Sequence, residues 1–247
     1  MINLIKKILR PIYYLLFHNK IVIISSPAEL AGFKWIIDKR FDRAYYKGYY
    51  EPKITQYLIT NVNSGDCLID VGAHAGYFSY LFSRLSPNGR ILSFEPNVQN
   101  VDYIKKIIAT NSVVNIELIP KALSSQTEKL SFSPGPTSST GRVSKSGNLA
   151  LDGIALDEIV LEISRSNALY LKIDVEGFGG EVIRGALNTI SKFKPNILME
   201  IHENSDERNS LASLSKLGYK FFNLDLLPEN VYNNDCRFFV AKVVDTN

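Results

Sequence analysis

The sequence predicts an α/β fold: a mostly parallel seven-stranded sheet that ends in a C-terminal antiparallel hairpin. Two patterns carry this expectation. From residue 66 onward, short apolar runs of strand length alternate with segments whose apolar residues recur at helical spacing. The last two strand-like runs leave too little chain between them for a helix. Composition agrees. At 247 residues, 45% hydrophobic and 21% charged, the chain can bury a substantial core. A disordered chain, a collagen-like chain and a disulfide-stapled mini-protein are excluded.

Each element follows from its residues. Cys67–Val71 is an apolar run closed by an acid and followed by glycines. Phe78, Leu81, Phe82 and Leu85 then repeat at helical spacing until Pro87-Asn88-Gly89 breaks the pattern. Ile91–Phe94 is the second strand and stops at Glu95-Pro96. Asn97 is placed to cap a helix whose stripe is Val98, Val101, Ile104 and Ile108. Asn115–Ile119 is the third strand. Ser131–Asn148 is rich in Ser, Gly and Pro and longer than most connections, so it reads as a functional lid or an insertion. Ala168–Val175 is the fourth strand. Val182, Ile183, Ala186, Leu187 and Ile190 mark one helix, Asn196–Ile201 a fifth strand, and Leu211, Leu214 and Leu217 a further helix. Tyr219–Leu224 and Arg237–Val243 form the closing pair.

The first 50 residues read as a cover on a domain spanning 51–247. Residues 1–24 are apolar and basic, with Lys6, Lys7 and Arg10 ahead of the run Ile12–Phe17. Pro11 and His18-Asn19-Lys20 interrupt the apolar stretch that a membrane span needs. The preferred reading is a helix and strand packed on the domain, and the alternative is a peripheral membrane contact. Trp35, Tyr45, Tyr46, Tyr49 and Tyr50 read as packing of this cover, with a glycan-binding wall as the alternative. Cys67 and Cys236 lie in strand-like runs and read as free buried thiols, which suits a cytoplasmic protein. Lys and Arg exceed Asp and Glu by only three, without a concentrated stripe, so no nucleic-acid partner is expected.

Asp70-Val71-Gly72-Ala73-His74-Ala75-Gly76 closes the first strand and opens a helix. Glycines there let a ligand approach the backbone. Glu95 ends the next strand, 25 residues after Asp70, where an acid can accept both hydroxyls of a ribose. The loop departs from the dinucleotide pattern G-x-G-x-x-G, because His74 and Tyr77 stand where glycines belong. Asp70 adds an anion where a diphosphate would sit. That suits the cationic S-adenosylmethionine better than NAD.

With Phe94-Glu95-Pro96, Leu171-Lys172-Ile173-Asp174-Val175-Glu176-Gly177, Glu181 and Gly185-Ala186 in order after the Asp70–Ser79 stretch, residues 51 to 200 resemble the FkbM-type methyltransferases. The resemblance implies the Rossmann-like methyltransferase fold, S-adenosylmethionine as cofactor, and O-methylation of sugars, polyketides or related natural products. It puts Asp70, Gly72, Ala73, Gly76 and Glu95 on cofactor positions and Glu51 near the cofactor's methionine end. His74 departs from it, standing where an Asn is common.

Strand period places Lys172, Asp174 and Glu176 on one face. Glu200 and His202 share a face of the next strand. If the two strands are neighbours, the five groups converge at the carboxyl edge, where open α/β sheets bind ligands. Three readings follow. Glu176, Asp174 and His202, in that order, are candidate proton acceptors. Asp174, Glu176 and Glu200 could instead hold a divalent cation, which is less favoured. A structural ion-pair network around Lys172 is the third. The expected function is O-methylation of a hydroxyl on a carbohydrate, glycolipid or related small molecule. The alternatives are a nucleotide-dependent oxidoreductase and an inactive cofactor-binding scaffold.

Overall fold

The computed structural model describes residues 13, 15–41, 43–48, 50–133, 141–143, 147, 149–159, 167–202, 205–225, 227–231 and 236–244. Most of the expected basic segment, residues 1–12 and 14, lies outside them, as does Tyr49. The chain opens with a small hairpin, β1 (Ile21–Ile23) against β2 (Lys34–Ile36), then a short helix α1 (Ala44–Lys47) and α2 (Pro52–Asn61). β3 (Cys67–Val71), α3 (Tyr77–Leu85), β4 (Ile91–Phe94), α4 (Val98–Asn111) and β5 (Ile116–Ile119) follow. Next come β6 (Ala122–Leu123), β7 (Glu128–Ser133), β8 (Arg142–Val143) and β9 (Leu149–Ile154). The chain then runs through β10 (Leu169–Ile173), α5 (Gly179–Arg184), α6 (Leu187–Phe193), β11 (Asn196–Glu200), α7 (Ser205–Lys216), β12 (Tyr219–Phe222) and β13 (Phe238–Val243).

The main sheet has seven strands in the order β12-β13-β11-β10-β3-β4-β5. β3, β4, β5, β10 and β11 pair in parallel. β13 is antiparallel to both neighbours, β11 and β12. The expected closing hairpin is therefore present, with β13 inserted beside β11 and β12 outermost. Central strands are apolar on both faces because helices cover both. Leu68, Tyr170, Leu198 and Val240 point into one cluster, with Trp35, Leu58, Phe82 and Ile104 from the first hairpin and α2–α4. Ile69, Leu171, Ile197 and Phe239 point into the other, with Val182, Ile190, Leu211 and Leu214 from α5–α7. Trp35, Tyr45 and Tyr46 are buried, as the packing reading expects. Cys67 and Cys236 are free and buried.

Three local readings need correction. The strand expected over Ala168–Val175 pairs only as far as Ile173, so Asp174 and Glu176 sit in the turn beyond it. The helix expected through Val182 to Ile190 is two helices. It breaks at Gly185-Ala186, where Gly185 lies so close to the Ser124 carbonyl that a Cβ would collide with it. Ser131–Asn148 is not all connection. Leu130 and Phe132 are buried and Ser131 exposed, the period-2 pattern of a half-buried strand. Ser131–Ser133 complete β7, which pairs with β8 and β9 in a second sheet of order β6-β9-β7-β8. Residues 134–140, 144–146 and 148 lie outside the described residues.

Candidate active site

A cavity of about 360 Å³ lies over the carboxyl ends of β3, β4, β10 and β11, with β8 and Phe132 of β7 forming part of its wall. Of the residues selected from the sequence, Glu51, Gly72, Glu95, Asp174, Glu176 and His202 line it. Asp70, Ala73 and Gly76 do not. Tyr50, one of the aromatics singled out from the sequence, lines it too, and lining residues that the sequence reading did not select include Asn100, Lys121, Phe132 and Arg237.

The turn after β3 is built from left-handed backbone. Gly72 has φ +80° and Gly76 +81°. Gly72 also lies against the Asp174 carbonyl oxygen, where a Cβ would collide. His74 has φ +53°, a conformation that His adopts more readily than most side chains. Its Nδ1 lies 2.8 Å from Tyr45 Oη, which ties α1 to the turn. Burial holds the imidazole down to about 4, so it is neutral at pH 7. The N–H groups of Gly72 and Ala73 donate to the Phe94 carbonyl, each at 3.0 Å. The His74 N–H donates to Glu95 Oε2 at 2.7 Å. Three donors that could cradle a diphosphate are thus already engaged.

Glu95 is fixed at the end of β4. Its Oε1 accepts from Asn97 N at 2.9 Å and Asn100 Nδ2 at 3.3 Å. Burial pushes its carboxyl up to about 7, against the hydrogen bonds that favour the anion. Asn97 also caps α4 by accepting from Gln99 N, as expected.

Asp70 corrects a sequence expectation. It is 1% exposed, and its Oδ2 accepts from Ser79 Oγ at 2.6 Å. Its carboxylate therefore faces α3 and Lys172, not the cavity, because a strand carboxylate this deep must be paired from within the core. Lys172, also buried, reaches Asp174 Oδ2 at 3.0 Å and Asp70 Oδ1 at 3.9 Å. Its ammonium holds Asp174 below the usual carboxylate range despite burial. Glu200 moves the other way, up to about 7, through burial and the nearby negative charge of Asp174.

β10 and β11 are neighbours, so the convergence expected from the sequence occurs. His202 Nε2 lies 3.6 Å from Glu176 Oε2 and 3.9 Å from Glu200 Oε1. His202 N donates to Glu207 Oε2 at 2.9 Å, and Glu207 Oε1 accepts from Gly179 N at 3.0 Å. Among the described residues, the group with metal-like spacing is Asp174, Glu200 and His202, whose donor atoms lie within 4.8 Å of one another. Glu176 is not part of it.

The sequence profile described as "Methyltransferase FkbM domain" matches residues 70–226. The chain belongs to the FkbM methyltransferase family. Membership makes it a methyltransferase and implies S-adenosylmethionine as the methyl donor. This methyltransferase is 28% identical, over 172 residues, to the hexuronic acid methyltransferase AglP of Haloferax volcanii; the match covers 67% of the chain and 68% of AglP. It is similar in fold to the crystal structure of methyltransferase FkbM from Methylobacillus flagellatus KT, with a TM-score of 0.51 and 17% identity over 72% of the chain. The chain spans 43% of that structure's length.

The cavity fits the implied donor. Two buried acceptors, Glu51 Oε2 and Asn100 Oδ1, make no hydrogen bond. Asn100 adjoins Glu95, and Glu51 lies in the field of Lys172 and Asp174. A ligand with hydroxyls and amines at one end and an ammonium and sulfonium at the other would satisfy both.

Proposed function

We propose that the methyltransferase transfers a methyl group to a hydroxyl of a carbohydrate, with an acidic sugar as the leading acceptor. One observation carries the transfer to oxygen. The Glu176–His202 pair lines the same cavity as the Gly72 turn and Glu95. The acidic sugar rests on the similarity to AglP.

When bound, S-adenosylmethionine supplies an electrophilic methyl on a sulfonium, and the sulfur keeps the bonding electron pair as the new C–O bond forms. In this reading Glu95 accepts from the ribose hydroxyls and Glu51 from the ammonium. The Gly72 turn lets the backbone approach closely. The acceptor hydroxyl must lose its proton as it attacks, and an imidazole within reach accepts it at Nε2. The Glu176 carboxylate, 3.6 Å from that nitrogen, faces the new N–H once the proton has moved. Glu207 fixes the backbone of His202. Asp174 is a poorer base than the sequence suggested, because the Lys172 ammonium already stabilises its anion. Lys172 already pairs with Asp174 Oδ2, and this reading assigns no role to a metal.

The test is isotope-labelled methyl transfer into uronic acid glycosides, followed by identification of the labelled atom. A methyl ether on a ring hydroxyl is expected. Label recovered on nitrogen, on a carboxyl oxygen, or in no carbohydrate would overturn the proposal.

A further inference from the structure

We propose that the outward face of the first hairpin, with residues 15–17, docks on an anionic lipid surface. Paired residues on neighbouring strands share a face. Val22 pairs with Trp35, and Trp35 is 1% exposed in the core. The opposite face carries Ile21 with Ile36 and Ile23 with Lys34, and it turns outward. Within nine residues Leu15, Leu16, Phe17, Ile21 and Ile23 are all between 38% and 84% exposed. Single exposed apolar side chains are ordinary on a protein surface, but such a cluster marks a contact.

Charge names the partner. The first 28 residues contain Lys6, Lys7, Arg10 and Lys20 and no Asp or Glu. That stretch is +4, more than the +3 of the whole chain. Lys34 adds a cation to the outward hairpin face, and Lys20 Nζ lies 5.0 Å from the Phe17 ring centroid. Apolar side chains rimmed by cations match the headgroup boundary of a negatively charged bilayer. A second copy of the chain would set one basic segment against another. No helix among the described residues is long and apolar enough to cross a membrane, so the contact is peripheral.

The full chain should co-sediment with phosphatidylcholine vesicles containing about 30 mol % phosphatidylglycerol, about tenfold more than with phosphatidylcholine alone. Binding should fall as salt rises from about 50 to about 500 mM. Ile21→Ser/Ile23→Ser and Lys20→Gln/Lys34→Gln should each weaken it about tenfold. Both should leave melting and S-adenosylhomocysteine binding unchanged, since they lie outside the core and cavity. Equal binding to both vesicle types, or parent-like binding by both variants, overturns the proposal. A concentration-dependent dimer abolished by Ile21→Ser/Ile23→Ser, without vesicle binding, assigns the face to a second copy and also overturns it.

Discussion

His202 Nε2 lies 3.6 Å from Glu176 Oε2, although the two side chains come from the ends of neighbouring strands and are separated by the whole of α5, α6 and β11. The pair is set by the parallel register of β10 on β11. It sets an imidazole nitrogen and a carboxylate side by side on the cavity wall. His202→Asn and Glu176→Gln should therefore lower kcat by about 10²–10⁴-fold and about tenfold or more, respectively. S-adenosylhomocysteine affinity should stay within about twofold, since neither residue is assigned to the cofactor. Single-turnover assays beside calorimetry separate the two effects. Full turnover by both variants would remove the pair from the chemistry.

Lys172 is 4% exposed and serves two carboxylates, Asp70 at 1% and Asp174 at 25% exposure. Removing one partner of a buried ion pair leaves an uncompensated charge, which costs about 3–5 kcal/mol. Lys172→Met should lower unfolding free energy by about 3 kcal/mol in urea titrations. Adding Asp70→Asn should recover part of that loss. A Lys172→Met protein as stable as the parent would show that the carboxylates take up protons at little cost.

Much of this was legible along the chain. The runs at Cys67–Val71 and Ile91–Phe94 carry apolar residues on both faces, interrupted by Asp70 and Ser93, and only a sheet covered on both sides tolerates that. Gly72 and Gly76 stand where the backbone is left-handed. What escaped depended on contacts distant in sequence. Nothing local shows that Asp70 faces Ser79 and Lys172 rather than a ligand. Leu130 and Phe132 signal a strand only once β9 lies alongside. Gly185 breaks a helix because of Ser124, some sixty residues away, which a helical stripe cannot reveal. Asn100 is a polar residue outside the apolar stripe of α4, yet it is buried against Glu95.

Stability should depend on pH through the cavity acids. Burial raises Glu95 and Glu200 each to about 7. Their unfolded values are about 4.3, so the folded state holds their protons more tightly. Their contribution is full below about pH 4.3 and is lost as pH rises through about 7. His74 is held down to about 4 and works in the opposite direction, gaining stability as pH rises from about 4 to about 6.5. Two acids outweigh one imidazole. The melting temperature of the ligand-free protein should fall by several degrees between about pH 5 and about pH 8. Glu95→Gln should flatten that slope. A parent whose melting temperature rises across this range would contradict the assignment.

Tyr45 reaches across from α1 to hold His74 in its left-handed turn. Tyr45→Phe keeps the ring stacked on Trp35 and Tyr50, at centroid distances of 5.4 and 4.0 Å, and removes only the hydroxyl. The turn should loosen, and S-adenosylhomocysteine affinity should drop by about three- to tenfold, the worth of one hydrogen bond. Stability should change by about 1 kcal/mol. Unchanged affinity would confine the first 50 residues to packing.

Calorimetric titration of the folded protein with S-adenosylhomocysteine tests the whole account most directly. Saturable one-to-one binding is expected, weakened at least about tenfold by Glu95→Ala, which loses both acceptors for the ribose hydroxyls. NAD should produce no heat, because the N–H groups of Gly72, Ala73 and His74 are already engaged. Tight NAD binding with no response to S-adenosylhomocysteine would contradict it.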